Sequence, residues 1–312
     1  MENQAFRELT QKMMQYYTAG EYPAALSLVE AEAGHFPEQA ARTTFWKLCL
    51  FSLANRPEEV LSAFKQALDD GLWWAEEMFM DPDLDAVRDL PEFKRLVEAS
   101  DKKCAEAQSQ VKPAHAVLVP DGRAAELPLL IALHGRNGNA NSHLEYWEVA
   151  RRKGWLVLAP QSTQALFPDS YCWDKTEQSL KDILFHFEEI AKAYKIDRQR
   201  IIVSGFSQGG GLSIYTALSG KVGARGFIGV STWWADPAEL GALAKQAKGL
   251  RGYFITGEKD QTLDTVKAIQ KVLTENNIAF AEEVHADLGH EFPSDFEKPF
   301  DKAMDFIFKE AG

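Results

Sequence analysis

Short apolar runs alternate with longer amphipathic segments from about residue 110 to the end of the chain. Several of these runs, such as Ile201–Val203, are almost wholly β-branched or aliphatic, which is typical of strands covered by helices on both faces. Because strands and helices alternate, the sequence predicts the α/β class with a doubly wound, mostly parallel sheet. The predicted strands are His115–Val119, Leu129–His134, Trp155–Pro160, Ile201–Ser204, Phe227–Ser231, Gly252–Thr256 and Ala279–Val284.

The first part of the chain has a different pattern, because its apolar residues recur at helical spacing and no strand-like run interrupts them. When Tyr16–Val29 is moved by 35 positions it falls on Phe51–Phe64, and the turn residues Gly20 and Asn55 then coincide. This period is close to that of tetratricopeptide repeats, which are helix-turn-helix units of about 34 residues. The pattern predicts two similar helix pairs, and a helical bundle without repeat ancestry is the alternative.

The polar stretch Ser100–Ser109 has the composition of a helix end followed by a linker. We therefore predict two domains in the chain. A smaller all-α, tetratricopeptide-like domain occupies residues 1–107, and the α/β domain occupies residues 108–312.

The composition of the chain indicates which binding partners and which cellular compartment to expect. The chain of 312 residues carries a net charge of −12, from 46 acidic and 34 basic residues, which disfavours nucleic acid and anionic membranes as partners. Its three cysteines form no C-x-x-C pair, which favours reduced thiols and a cytoplasmic location. The first residues lack the basic and apolar regions of a signal peptide, and no apolar run is long enough to span a bilayer.

A sharp strand-to-helix turn is predicted directly after Ile201–Ser204. Gly205-Phe206-Ser207-Gln208-Gly209 matches the G-x-S-x-G pattern, in which a serine is exposed at the top of the sheet between a strand and a helix. Ser207 is therefore the predicted nucleophile. The alternative is a glycine-rich turn that binds a phosphate group.

A serine hydroxyl needs a base and an acid that orients the base, and in this fold the order along the chain is Ser, Asp or Glu, His. His290 lies in a loop after the last predicted strand and before the last helix, whereas His285 lies at the strand end, so His290 is the predicted base. Asp260 lies mid-turn after the strand Gly252–Thr256 and is the predicted acid. Glu258 and Asp264 are the alternatives.

The negative charge that develops on the substrate oxygen needs main-chain N–H donors. One donor is expected from Gln208, which follows the nucleophile, and the other from Arg136 in the loop after Leu129–His134. His134 is expected to support this loop without transferring protons. Because the donors are main-chain groups, the side chain at position 136 need not be small.

Aromatic residues cluster in the loops where a substrate pocket is expected. Trp173 follows the third predicted strand, and Trp233 and Trp234 follow the strand Phe227–Ser231. We name these three as pocket candidates, with ordinary packing between helices and sheet as the alternative. Cys172 is expected to be a small buried residue.

Four short segments together resemble the carboxylesterase/phospholipase group of α/β-hydrolases, which includes acyl-protein thioesterases. These segments are Leu133-His134-Gly135, Gly205-Phe206-Ser207-Gln208-Gly209-Gly210, Gly257-x-x-Asp260 and Gly289-His290. The resemblance covers about residues 111–312 and implies hydrolysis of carboxylic esters or thioesters through an acyl-serine, on a small-molecule ester, with neither metal nor cofactor. Two departures are the absence of the group's usual acidic residue early in the loop after Gly135 and the preceding helical domain.

Two other functions remain open from the sequence. One is a serine peptidase of the same fold, and the other is a non-catalytic protein whose helical repeats bind partners. The helical domain is expected to bind a protein partner, to self-associate, or to cover the site. If it covers the site, the candidates for the contact are Trp73, Trp74, Met78 and Phe79, which we expect to be exposed.

Overall fold

The computed structural model describes residues 4–122 and 124–309. The chain divides into two compact units close to the predicted boundary. One unit, here called the helical unit, consists of the described chain up to Val111 together with Ala165–Ser170. The other, the sheet unit, consists of Lys112–Gln164 and the described chain from Tyr171 onward.

The helical unit contains two helix pairs that match the predicted repeat. Each pair turns at a residue in the left-handed region, Gly20 with φ 74° and Asn55 with φ 56°. Its kinship with tetratricopeptide repeats stays a prediction. The helices are α1 Gln4–Thr18, α2 Tyr22–Glu32, α3 Ala40–Leu53, α4 Pro57–Asp69, α5 Asp85–Arg88 and α6 Pro91–Gln108, with short 3-10 turns at Ala33–His35, Pro37–Gln39, Glu76–Met80 and Pro82–Leu84.

Aromatic side chains from the segment after α4 fill the core of the helical unit. Trp74 is fully buried and Phe79 nearly so, and the Phe79 ring stacks on Phe64 with the ring centroids 4.8 Å apart. The expectation that Trp74 and Phe79 are exposed is therefore wrong. The physical reason is that this segment packs its large rings against α4 and α6, where Phe93 also contributes.

The strands of the described chain are β1 His115–Leu118, β2 Leu127–Leu133, β3 Leu156–Pro160, β4 Gln164–Phe167, β5 Ser170–Cys172, β6 Ile196–Phe206, β7 Gly226–Val230, β8 Arg251–Gly257 and β9 Ala279–His285. Seven of them form one sheet in the sheet unit, in the order β1-β3-β2-β6-β7-β8-β9, in which β1 is antiparallel to β3 and the other pairs are parallel. The helices are α7 Leu144–Arg152, α8 Thr176–Ala193, α9 Gln208–Leu218, α10 Leu240–Ala244, α11 Leu263–Glu275 and α12 Glu297–Phe308, with a 3-10 turn at Pro237–Glu239.

Two apolar cores lie on the two faces of this sheet. Leu129 and Ile131 of β2 belong to one core and Leu130 to the other, because alternate residues of a strand point to opposite faces. Helices α8, α9 and α11 pack on the first face, and α7 and α12 pack on the second. The predicted fold class, a doubly wound and mostly parallel α/β sheet, is confirmed.

A two-stranded hairpin formed by β4 and β5 was missed by the sequence analysis. Its tip, Ala165–Ser170, belongs to the helical unit, where the Ala75 N–H donates to Leu166 O at 2.7 Å and the Gln108 side chain accepts from the Ala165 N–H at 2.9 Å. The chain re-enters the sheet unit at Tyr171.

Within the described residues, no helix combines the length and the apolar character that crossing a membrane requires.

Candidate active site

The turn after β6 has the geometry of a nucleophile elbow. Ser207 stands between the end of β6 and the start of α9 with φ 54° and ψ −119°, a conformation that non-glycine residues rarely adopt. A Cβ on Gly205 would lie 2.3 Å from main-chain atoms of Gly209, and a Cβ on Gly209 would lie 2.4 Å from the carbonyl oxygens of Leu133 and His134. The two glycines are therefore required for the close backbone approach that exposes Ser207.

Three side chains from the ends of three strands form one hydrogen-bonded line. The Nε2 atom of His290, which follows β9, lies 2.9 Å from Ser207 Oγ. Its Nδ1 atom lies 2.9 Å from Oδ1 of Asp260, which follows β8. The carboxyl ends of parallel strands meet at one edge of the sheet, which is why residues 83 and 30 positions apart along the chain come together.

Asp260 is held as an anion beneath the histidine. Its side chain is fully buried, and its Oδ1 atom also accepts hydrogen bonds of 2.8 Å from the N–H and the hydroxyl of Thr262. Burial raises the pKa of this carboxyl, but the hydrogen bonds with His290, with Ser231 and with the Thr262 main chain together outweigh it and bring the pKa to about 2. Asp260 is therefore ionised at neutral pH and can accept a hydrogen bond from the Nδ1–H group of His290.

The alternative residues lie elsewhere. His285 approaches Glu283 at 3.6 Å, and Glu258 is exposed at the end of β8. Asp264 is exposed in the first turn of α11, where it pairs with Lys267. The geometry brings together Ser207, His290 and Asp260, as the sequence predicted.

The loop after β2 lies against the nucleophile. A Cβ on Gly135 would lie 3.5 Å from Ser207 Cβ, so the neighbouring Arg136 is also near the elbow. The Arg136 guanidinium pairs with Asp174, and the same carboxylate accepts a hydrogen bond from the Gln208 side chain. Sequence analysis missed Asp174, because nothing in its local pattern shows that two distant loops converge on it.

His134 is a buried support for this loop. Its Nδ1–H group donates to the carbonyl oxygen of Gly135 at 2.8 Å, and its Nε2 atom accepts a hydrogen bond from the Ser162 N–H at 3.2 Å. Burial lowers the pKa of His134 to about 4, so the ring is neutral at neutral pH. This placement agrees with the expectation that His134 transfers no proton.

The structure separates the three pocket candidates. Trp173 is 1% exposed, and its indole N–H donates to His134 O at 2.8 Å. Trp234 is 6% exposed and stacks on Tyr215 in the core. The prediction that Trp173 and Trp234 line a pocket is therefore wrong, because buried rings that pack in the core present no surface to a substrate. Trp233 is 39% exposed, and its main-chain N–H donates to Ser207 O at 3.0 Å. It therefore remains a candidate for the pocket.

An aromatic stack that the sequence analysis did not single out flanks the histidine. The Phe206 ring lies 4.9 Å from His290 and stacks on Phe292, which in turn stacks on Tyr146 at 4.1 Å. Phe206 directly precedes Ser207 and Phe292 lies two positions after His290, and this proximity in sequence is the signal that could have found them. The stack restricts the position of the imidazole ring on one side.

Two known families match separate parts of the chain. Residues 164–309 match the phospholipase/carboxylesterase family, and residues 5–108 match the N-terminal domain of A/B hydrolase-like proteins. The second match covers the helical region that was predicted to be tetratricopeptide-like.

One curated protein and several solved structures are also similar to the chain. A bifunctional acetylxylan esterase/xylanase of Neocallimastix patriciarum is 31% identical over 106 residues, which are 33% of this chain and 15% of that protein. The chain therefore spans only a small part of this curated relative. An uncharacterized protein from Bacillus cereus ATCC 10987 superposes with a TM-score of 0.56 at 24% identity and covers 98% of this chain and 99% of its own. Esterase PE8 superposes with a TM-score of 0.51 at 18% identity over 60% of this chain and 95% of its own. The first family match confirms, over residues 164–309, the predicted resemblance to the carboxylesterase/phospholipase group, and the two superpositions show a shared fold.

Proposed function

We propose that this α/β-hydrolase of the phospholipase/carboxylesterase type cleaves carboxylic esters through an acyl-serine intermediate on Ser207. The observation that carries the proposal is the line of two 2.9 Å hydrogen bonds from Ser207 through His290 to Asp260 on a strained nucleophile elbow. A structural serine needs neither a histidine aligned with its hydroxyl nor a buried carboxylate behind that histidine. The arrangement has the geometry by which a Ser-His-Asp triad is recognised.

The proton path follows from the two hydrogen bonds. The Asp260 carboxylate accepts the Nδ1–H of His290, which leaves the Nε2 lone pair facing the Ser207 hydroxyl. His290 takes the hydroxyl proton as Ser207 Oγ forms a bond to the ester carbonyl carbon, and the imidazolium then gives that proton to the departing alcohol. Asp260 stays ionised throughout and stabilises the imidazolium.

The second half of the reaction uses the same residues. Water gives one proton to His290 and its oxygen attacks the acyl-serine carbonyl, and the proton returns to Ser207 as the carboxylic acid leaves. In both halves the carbonyl oxygen becomes negatively charged. We propose the main-chain N–H groups of Arg136 and Gln208 as its donors, because both residues flank the nucleophile.

Thioesters are the second substrate class within this proposal. A thioester presents the same carbonyl carbon to Ser207 and differs only in the leaving group, which is a thiol. The match to the phospholipase/carboxylesterase family and the esterase activities named for the relatives support esters as the first class.

The proposal includes a cytoplasmic location. Its support is that Cys49, Cys104 and Cys172 are all free and buried, as expected for a protein from a reducing compartment. Binding of a protein partner or of a second copy by the helical unit stays a prediction.

A substrate screen of the full chain tests the proposed function. The substrates are nitrophenyl esters of graded acyl length, acyl thiocholines as thioesters, and peptide nitroanilides as amides, with Ser207→Ala as the matched control. We expect turnover of esters that is absent in the control and slower or no turnover of amides. Amide hydrolysis as fast as ester hydrolysis would replace the proposal with a peptidase, and no turnover of any ester would contradict it.

A further inference from the structure

One carboxylate joins the two loops that hold the proposed oxyanion donors. Asp174 accepts a hydrogen bond from the Arg136 guanidinium on Oδ2 and another from the Gln208 side-chain amide on Oδ1. Arg136 comes from the loop after β2, and Gln208 opens α9 directly after the nucleophile.

The residue before Asp174 strengthens the same connection. The Trp173 N–H donates to the side-chain oxygen of Gln208 at 2.9 Å, and its indole N–H donates to His134 O at 2.8 Å. Its ring also stacks on the His134 ring with the centroids 4.6 Å apart. The short segment Trp173–Asp174 therefore holds both the loop after β2 and the side chain of Gln208.

The charge of Asp174 is suited to this role. Burial raises the pKa of its carboxyl, but the hydrogen bond and the positive charge of Arg136 lower the pKa by more. The pKa of Asp174 therefore lies below its usual range. The carboxylate is thus an acceptor on both oxygens at neutral pH and binds two donors at once. Its pairing also neutralises Arg136, which is therefore engaged in positioning and not displayed as a free cation toward a substrate.

Small displacements of oxyanion donors have large effects on rate. The donors act only if their N–H groups point at the position of the developing charge, and a misplacement of about 1 Å can cost about 100-fold. Arg136 and Gln208 would contribute main-chain N–H groups, so the conformation of their main chain decides where these groups point. The contacts of their side chains restrict that conformation.

We propose that Asp174 is a positioning residue that sets the oxyanion hole by holding Arg136 and Gln208 together. The inference rests on the proposed function, because it assigns a role within the same reaction. In this role Asp174 acts through the two residues that it binds, Arg136 and Gln208.

The test compares Asp174→Ala and Asp174→Asn with Asp197→Ala in the full chain. Asp197 is a matched control, because its carboxylate also pairs with an arginine, Arg200 at 2.6 Å, at the opposite end of β6. For each variant we would measure kcat and KM on a nitrophenyl ester, inhibition by an alkyl boronic acid, and the thermal midpoint Tm. The boronic acid forms a tetrahedral adduct on serine that places an oxygen in the oxyanion hole.

We expect kcat to fall by about 10- to 100-fold in Asp174→Ala and by less in Asp174→Asn, which retains one acceptor, while KM changes by no more than about 2-fold. Boronic acid inhibition should weaken in parallel with kcat, and Asp197→Ala should match the parent protein. A merely structural role would lower Tm without this parallel.

The outcomes separate this inference from the proposed function. If the parent protein hydrolyses no ester, the proposed function fails and this inference fails with it. If the parent protein is active and the Asp174 variants match Asp197→Ala, only the positioning role is overturned. A rise in KM at unchanged kcat would also overturn it in favour of substrate binding, and so would failure of both Asp174 variants to fold.

Discussion

The triad side and the oxyanion side of the site are held in different ways. Ser207, His290 and Asp260 meet directly, through two hydrogen bonds of 2.9 Å between their own side chains. On the other side, the proposed donors are main-chain groups of Arg136 and Gln208. Asp174 accepts hydrogen bonds from the side chains of both residues, and the Trp173 main-chain N–H donates to the Gln208 side chain.

This difference predicts a gradient of mutational effects. Removing a triad residue removes a chemical step, whereas removing a support shifts a geometry that the rest of the fold partly maintains. We therefore expect the largest losses of rate on the triad side, intermediate losses on the oxyanion side and small changes in the surrounding loops.

The largest effect is expected from the nucleophile and the base. Ser207→Ala and His290→Ala should each lower kcat on an ester by a factor on the order of 10⁴ or more, because nucleophile and base act as one unit. The double variant should lose no more than either single variant. Steady-state kinetics on one ester measures all three.

The matched control for the histidine is His285→Ala, since His285 is the other histidine downstream of Ser207 and lies beside Glu283. It should retain the parent rate within a few-fold. Additive losses in the double variant, or a loss in His285→Ala as large as that in His290→Ala, would contradict the assignment of the base.

A slightly smaller effect is expected from the acid. Asp260→Asn should lower kcat by about 10⁴, because an amide in place of the carboxylate favours the wrong imidazole tautomer. Glu258→Gln is the control, since Glu258 is exposed and lies two positions earlier in the same turn. An active Asp260→Asn together with an inactive Glu258→Gln would make Glu258 the acid.

On the oxyanion side, the buried ring of His134 should make the free energy of unfolding depend on pH. Burial holds the pKa of His134 at about 4 in the folded protein, below the ordinary value of about 6.5 that applies to the unfolded chain. Between these values the unfolded chain binds a proton that the folded protein does not, so the free energy of unfolding falls as the pH decreases from about 6.5 to about 4. The contribution of His134 is at most about 3 kcal/mol.

Urea unfolding at pH 7.5 and pH 5 measures this dependence. His134→Gln should make the difference between the two pH values smaller than in the parent protein. His186, whose pKa is lowered to about 4 by burial and by the charge of His115, should keep part of the dependence in this variant. Equal pH dependence in the parent and in His134→Gln would show that His134 is not a neutral buried support.

The smallest effect is expected at the exposed tryptophan. Trp233→Ala keeps the main-chain hydrogen bond to Ser207 O and removes only a ring that is 39% exposed. The value of kcat/KM should fall by about 10-fold or less, mostly through KM and mostly for long or aromatic acyl groups. Comparing acetyl, octanoyl and benzoyl nitrophenyl esters measures this, and an equal loss on all three would remove Trp233 from the pocket.

Much of the fold could be predicted because strand periodicity is local. Each predicted strand matches a strand of the main sheet, since buried parallel strands give short, continuous apolar runs. The convergence of the three candidate residues could be predicted for a related reason, because the carboxyl ends of such strands share one edge of the sheet. Ser207, Asp260 and His290 each follow a strand, so their order along the chain limited the choice.

The missed features depend on contacts between distant segments. The hairpin of β4 and β5 has strands of three and four residues, too short for a periodicity to appear, and its tip belongs to the helical unit. Trp173 and Trp234 look like pocket residues in the sequence, because an aromatic residue near a loop gives no sign of whether it packs inward. Asp174 could not be recognised, since its role arises only where two loops converge.

The most direct test of the account is covalent labelling of the full chain with a fluorophosphonate. Ser207 Oγ should form a bond to phosphorus as fluoride leaves and His290 takes the hydroxyl proton, and peptide mass mapping should place the adduct on Ser207. The account predicts one label per chain in the parent protein and none in Ser207→Ala. A folded parent protein that takes up no label, or that carries it on another residue, would contradict the central claim.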